Sequence, residues 1–287
     1  MPMARIFTVF AVMFAPVLLL ANTEEENGDL LSTAFSAIES KDWVSAEHYA
    51  SQISDSVGSD LVTWERLRQG EGSWEEYQEF LARNNDWPGL KRLRRKGEAV
   101  IPKGSDPAVV RAYFAVQLPQ TGAGSIRLAE AYATQGRVAE AREEAIRAWT
   151  EMSLKQHDEV TLYKDYNGAL SKQNLKRLDA LLWRGLTREA ERMFKRVPDG
   201  YVKLAKARIS LQRATKDVDI KIANVPDNLQ SDPGLAYDRF KWRVKKGRWD
   251  DAQELLARQT GSVEKLGRPE AWSNRRRGFA RRAMRAG

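Results

Sequence analysis

The chain has 287 residues, 42% of them hydrophobic and 30% charged, with 9 tryptophans, no cysteine and a formal net charge of +8. Without cysteine it is neither a disulfide-stapled miniprotein nor a thiolate metal module, and its length suits one large domain or two ordinary ones. A sequence pI near 9.6 suggests an anionic partner, which is nucleic acid, a membrane surface or an acidic polymer, unless the basic side chains only solvate helix faces.

In chain order, the first element is Arg5 followed by an apolar run from Ile6 to Leu20, then Ala21-Asn22-Thr23 and an acidic stretch. A basic start, a short apolar run and a small residue form the pattern of a secretory signal peptide, expected to span 1–21. The run is shorter than the ~20 residues a transmembrane helix requires, so no stable membrane anchor is expected. No cysteine follows Ala21, which removes lipoprotein processing. Export of a cysteine-free chain points to a bacterial periplasm and argues against nucleic acid as the partner.

The rest of the sequence, 22–287, reads as helices, because Ala, Leu, Glu, Arg and Lys dominate and period-two alternation is missing. Lys41-Asp42-Trp43-Val44-Ser45-Ala46 is the first of four copies of one local pattern. Ser73-Trp74-Glu75-Glu76 predicts a capping box, and Asp86-Trp87-Pro88 predicts a helix start with proline in the first turn. Pro102 to Pro107, Thr121 to Ser125 and Pro198-Asp199-Gly200 are predicted loops. The second and third copies are Gly136-Arg137-Val138-Ala139-Glu140-Ala141 and Gly185-Leu186-Thr187-Arg188-Glu189-Ala190. Asp232-Pro233-Gly234 predicts another helix start, and Gly247-Arg248-Trp249-Asp250-Asp251-Ala252 is the fourth copy.

Each copy predicts a helical hairpin. Seven, four and three residues before the turn stand Ala34/Ala37/Ile38, Ala129/Tyr132/Ala133, Leu178/Leu181/Leu182 and Phe240/Arg243/Val244, one face of an incoming helix. The turn residue, usually glycine, stops that helix in the left-handed conformation, and the closing alanine admits close packing of the next helix. A lone hairpin cannot bury both faces, so stacking into an irregular right-handed superhelix of hairpins is expected. The turns resemble those of tetratricopeptide repeats, but Ala46, Ala141, Ala190 and Ala252 are too unevenly spaced for a regular array of ~34 residues.

Chemistry-bearing motifs are sparse. His48 and His157 have no metal-ligand neighbour, so no metal or cofactor is expected. Glycine-rich phosphate loops, nucleophile elbows and zinc-protease helices are missing, and the acidic residues lie scattered on helix faces. Trp43 and Trp249 occupy equivalent hairpin positions. Trp87, Trp183, Trp242 and Trp272 are candidates for a sugar groove, with core packing the stronger reading. The basic end, Arg275, Arg276, Arg277, Arg281 and Arg282, is a candidate contact for an anionic glycan or another domain, set against a plain solvated helix face. Helical spacing there predicts Phe279 and Met284 facing inward.

Several segments in order resemble the N-terminal superhelical region of soluble lytic transglycosylases of the α-proteobacterial type. They include Thr63 to Gly72, Phe80-Leu81-Ala82-Arg83 leading to Asp86-Trp87-Pro88-Gly89-Leu90, and Pro119-Gln120-Thr121-Gly122. Leu182-Trp183-Arg184-Gly185, Asp232 to Phe240, Lys246 to Ala252 and Leu266 to Trp272 complete the series. The resemblance implies a periplasmic protein of cell-wall turnover, with peptidoglycan as partner. It also implies that a glutamate in a Glu-Ser motif cleaves glycan strands from a lysozyme-like domain after the superhelix. The one Glu-Ser here, Glu39-Ser40, sits at the first hairpin turn and lacks the family's downstream pattern. No catalytic residue carries over. The chain is therefore expected to be an inactive scaffold, truncated before a catalytic domain; the alternative is a stand-alone periplasmic adaptor for a protein partner.

Overall fold

The structure, a computed structural model, describes the backbone of residues 15–286 and the side chains of 24–285. Of the expected signal peptide, 1–14 lies outside the described residues and the remainder enters only as helical backbone. Every regular element among the described residues is helical, as the composition predicts. No helix there is long and apolar enough to cross a membrane.

The chain divides into two compact units, one of Met1–Ser105 with Ala112–Leu118, the other of Asp106–Arg111 with Pro119–Gly287. The first holds α1 (Ala15–Glu39), α2 (Trp43–Gln52), α3 (Ser56–Gln69), α4 (Trp74–Arg83) and α5 (Leu90–Gly97), and α6 (Pro107–Ala115) is shared between the units. The second continues with α7 (Gly122–Thr134), α8 (Val138–Glu151), α9 (Gln156–Leu170), α10 (Asn174–Trp183), α11 (Thr187–Arg192) and α12 (Asp199–Arg213). It closes with α13 (Val218–Ala223), α14 (Pro233–Lys245), α15 (Trp249–Arg258), α16 (Val263–Leu266) and α17 (Pro269–Ala286).

The four sequence copies form four hairpins, α1–α2, α7–α8, α10–α11 and α14–α15. Their turns share one geometry. Lys41, Gly136, Gly185 and Gly247 have φ of 62°, 73°, 73° and 72°. Each donates its amide to the carbonyl three residues back, and the next residue donates five back, at 2.8–3.1 Å throughout. That double bond satisfies two carbonyls orphaned at the helix end. The following residue is the N-cap of the second helix, with φ between −85° and −81° in all four. Its carbonyl accepts from the amide of the closing alanine, and Ala46, Ala141, Ala190 and Ala252 are 0%, 1%, 0% and 0% exposed. A larger side chain has no room where two helix backbones approach this closely.

The same double bond ends two further helices, whose turns lack the sequence pattern. Gly70 stops α3 at φ 99° and Ala214 stops α12 at φ 56°. Their linkers are longer, so the closing alanine that marks the other four is absent. The capping box at Ser73 and the proline start at Asp232-Pro233 form as predicted, Asp232 accepting the Leu235 amide at 2.7 Å.

Three local expectations are corrected. The helix expected at Asp86-Trp87-Pro88 begins at Leu90 instead, because Gly89 at φ 73° lies outside the helical region; the Pro88 carbonyl before it accepts Trp64 Nε1 at 3.1 Å. Thr121 to Ser125 is not a loop but the N-cap and first turn of α7, Thr121 accepting the Gly124 amide at 3.1 Å. Gly122 is needed there because a Cβ would stand 2.6 Å from Asp158. Pro198-Asp199-Gly200 likewise opens α12. First-turn amides have no intrahelical acceptor, so glycine and proline are tolerated at helix starts as readily as in loops.

In the first unit α1, α2 and α3 enclose Ala34, Ile38, Ala46, Ala50, Ile53 and Val62. Among the described residues the second carries clusters centred on Trp149, Leu162, Leu178 and Met193, on Leu204, Leu211, Val225 and Leu235, and on Phe240, Leu256 and Trp272.

Candidate functional site

Buried charge in the second unit is concentrated on two guanidiniums. Arg177, fully buried, donates to the Trp149 carbonyl at 2.6 Å and to Glu159 at 2.5 Å, with its plane 4.4 Å from the Trp149 ring. Arg192 holds the other Glu159 oxygen, and Glu189 accepts the Leu154 amide at 3.1 Å. Arg208 pairs with Asp238 at 2.9 Å and Asp179 at 2.8 Å. Gly234 makes that pairing fit, since a Cβ there would come within 2.2 Å of the guanidinium. Burial raises the carboxyls of Asp232 and Asp238 against the pull of Arg208. These groups tie α8 to α11 and α10, α12 and α14 to one another. A carboxylate so tightly paired is a structural clamp rather than a proton donor for chemistry.

The surface around Trp242 is different. On α14 the spacing of Asp238, Lys241, Trp242 and Lys245 puts them along one face, while Arg239 and Arg243 fall on the adjoining one. The half-buried indole therefore separates two hollows. The first, about 200 Å³, is lined by Leu211, Gln212, Asp238, Lys241, Lys245 and Arg275. The second, about 430 Å³, is lined by Val218, Ile222 and Gln230, by Arg239, Arg243 and Arg248, and by one carboxylate, Asp219, whose charge acts on Arg239. Arg243 and Arg248 bond Asp251, and Arg248 lies 5.8 Å from the Trp242 ring centre. Among the described residues no carboxylate forms an ion pair with Arg239, Lys241, Lys245 or Arg275. Burial, and after it the charge of Arg243, holds the Arg239 guanidinium below its usual pKa. Positive charge around the indole thus exceeds negative.

Two buried polar atoms at this place also lack partners. The Gln212 amide donates to the Leu182 carbonyl at 2.9 Å and Asp238 at 3.0 Å, which leaves its Oε1 without a donor, and Trp242 Nε1 has no acceptor. Each such atom ordinarily costs about 1–3 kcal/mol, so folded proteins leave few.

The basic residues predicted at the C-terminal end make separate contacts. Arg275 enters the smaller hollow. Arg276 donates to the Gln259 carbonyl, Arg277 bonds Asn274, and Arg282 stacks 4.1 Å from the Trp249 ring centre. Arg281 is exposed. Phe279 packs inward as expected, but Met284 is 82% exposed, because α17 runs past the neighbours able to cover its last turn. Of the four tryptophans proposed for a groove, Trp272 is core, with its Nε1 bonded to the Leu266 carbonyl at 3.0 Å. Trp87 stacks edge-on against Phe80 and Trp64, Trp183 packs on Tyr237, and Trp242 alone stands between hollows. Trp249 meets Phe279 of α17 at 5.8 Å, more than hairpin packing alone predicts.

His48 and His157 are exposed, and the described residues contain no group of acidic, histidine or cysteine side chains placed to hold a metal. Glu39, of the Glu-Ser pair, is exposed at the end of α1. A third hollow of about 560 Å³ lies where α9 kinks at Tyr166 (φ −126°), with Arg142, Asp165, Asn167 and Lys172 on its walls. The fold and these surfaces define an all-α protein of helical hairpins with a cationic, tryptophan-centred cleft. No protein-family model, curated protein or solved structure matches the chain.

Proposed function

We propose that this chain is the non-catalytic scaffold region of a periplasmic lytic transglycosylase, a right-handed superhelix of stacked hairpins. It holds glycan strands of peptidoglycan for cleavage by a separate lysozyme-like domain. One observation supports the reading: the ordered series of family-like segments, parts of which form hairpin turns and the start of α14. Leu182 to Gly185 and Lys246 to Ala252 are hairpin turns. Asp232 to Phe240 supplies the N-cap of α14, the glycine that admits the Arg208 guanidinium, and Asp238, which pairs with it. The net charge of +8 suits a wall rich in carboxylates.

Sedimentation of the purified chain with isolated wall sacculi tests this. The chain is expected in the pellet at roughly 0.01 M salt, where charges act over about 30 Å, and in the supernatant at about 1 M, where they act over about 3 Å. A chain that stays in solution at low salt, or that recovers one protein partner stoichiometrically in its place, overturns the wall reading in favour of an adaptor. Release of anhydro-muropeptides by the chain alone overturns its non-catalytic part.

A further inference from the structure

From the geometry around Trp242 we infer that the cleft is a recognition site for a carboxylate set beside an amide, the group a muramyl sugar or its stem peptide presents. The inference deepens the wall-scaffold reading and rests on it for the choice of ligand; the cleft itself is argued from charge and geometry alone. Lys241, Lys245 and Arg275 converge on the smaller hollow from α14 and α17, and none has a carboxylate partner among the described residues. The one carboxylate on its wall, Asp238, is committed to Arg208. A ligand carboxylate is the group that balances such a surface, and water-exposed lysines alone would not require a hollow to do so.

The floor adds a second requirement. Gln212 Oε1 is an acceptor without a donor, and Trp242 Nε1 is a donor without an acceptor. An amide, with one N–H and one C=O, supplies both, once the Gln212 side chain and the half-buried indole, whose two unpaired atoms are buried, turn enough to open them to the hollow. The flat face of Trp242 suits the apolar face of a pyranose ring, and Arg239 on the far side of the indole extends positive charge along the cleft. Charge selects the acid, the orphaned pair selects the amide, and the indole fixes their separation.

Nuclear magnetic resonance of the indole N–H groups reads the site directly, with Trp242→Phe identifying the signal. Three probes are titrated separately: N-acetylmuramic acid, the dipeptide alanyl-glutamate and neutral N-acetylglucosamine. A shift of the Trp242 signal with either acid, and at least about tenfold weaker binding in the Lys241→Glu/Lys245→Glu/Arg275→Glu variant, is the expected result, the three replaced side chains being exposed and the variant's fold checked by circular dichroism. A larger shift with the sugar acid assigns the glycan as source, and one with the dipeptide assigns the stem. No shift with either acid, an equal shift with the neutral sugar, or unchanged affinity in the triple variant overturns the inference. Sedimentation with sacculi that persists in the triple variant would leave the scaffold reading standing without this cleft. A Trp242 shift in a chain that ignores sacculi would do the reverse.

Discussion

Tyr77 and Gly234 show how single residues set stability here. Tyr77 is 0% exposed and its hydroxyl donates to the Leu67 carbonyl at 2.6 Å; burial pushes the phenol up to about 12. In an unfolded chain a phenol titrates near ~10. The folded state therefore keeps the proton longer, so stability is full below pH ~10 and declines as pH rises towards about 12. Thermal unfolding followed across pH 8 to 12 should show this decline. Tyr77→Phe should flatten part of it, at a cost near neutral pH of about 1 kcal/mol for the unbonded carbonyl. Tyr113, which burial also raises, retains the remainder. A phenolate band near pH 10 that is present in the chain but lost in Tyr77→Phe, with the helix signal intact in both, would contradict the burial argument. Gly234→Ala drives a methyl into a guanidinium pinned by Asp238 and Asp179. It is expected to cost about 2–4 kcal/mol in urea unfolding, because the buried ion pairs must shift to make room. A loss under about 0.5 kcal/mol, the range of an ordinary surface change, would mean that the Arg208 guanidinium does not fill the space beside Gly234.

At the scale of elements, the four hairpins make a reciprocal prediction. Lys41 occupies the left-handed turn position that glycine fills in the other three, and its side chain is exposed. Lys41→Gly should stabilise the chain by about 1 kcal/mol, since L residues strain there and glycine does not. Gly247→Ala should cost about the same, as nothing lies within 4 Å of the added Cβ and only the backbone objects. Urea midpoints of the two variants should move in opposite directions by similar amounts. Movement in the same direction would dissolve the claim that the turns are equivalent. Legibility at this scale followed from range. Ala46, Ala141, Ala190 and Ala252 were readable because a helix stop and a close packing residue lie within six positions. Thr121 to Ser125 and Pro198 to Gly200 were misread as loops because glycine and proline mark helix starts as well as turns.

At the scale of the molecule, the hydrophobic period specified helices that must pack on one another, and the structure groups them into two units with their own clusters. The charge excess was visible in the composition, but its placement was not. The row of arginines at the C-terminal end looked like one patch, and the fold disperses it: Arg276 goes to a carbonyl, Arg282 to an indole and Arg275 to the cleft. The proposed salt-dependent association with sacculi is a prediction at this scale, because long-range attraction sums over all exposed charges and falls with the screening length.

The sequence by itself determined the helices, the four hairpin turns and the small residues at their closest approach. All of these depend on neighbours within one or two helical turns, where backbone preference and the 3.6-residue period act directly. Only the tertiary structure decided which charges are buried together. Arg208 reaches Asp179 and Asp238 across 29 and 30 residues of chain, and Trp242, one of four comparable tryptophans, is the one left between two hollows. Those pairings have no local signature, since the desolvation and shape that select them exist only once the helices have packed.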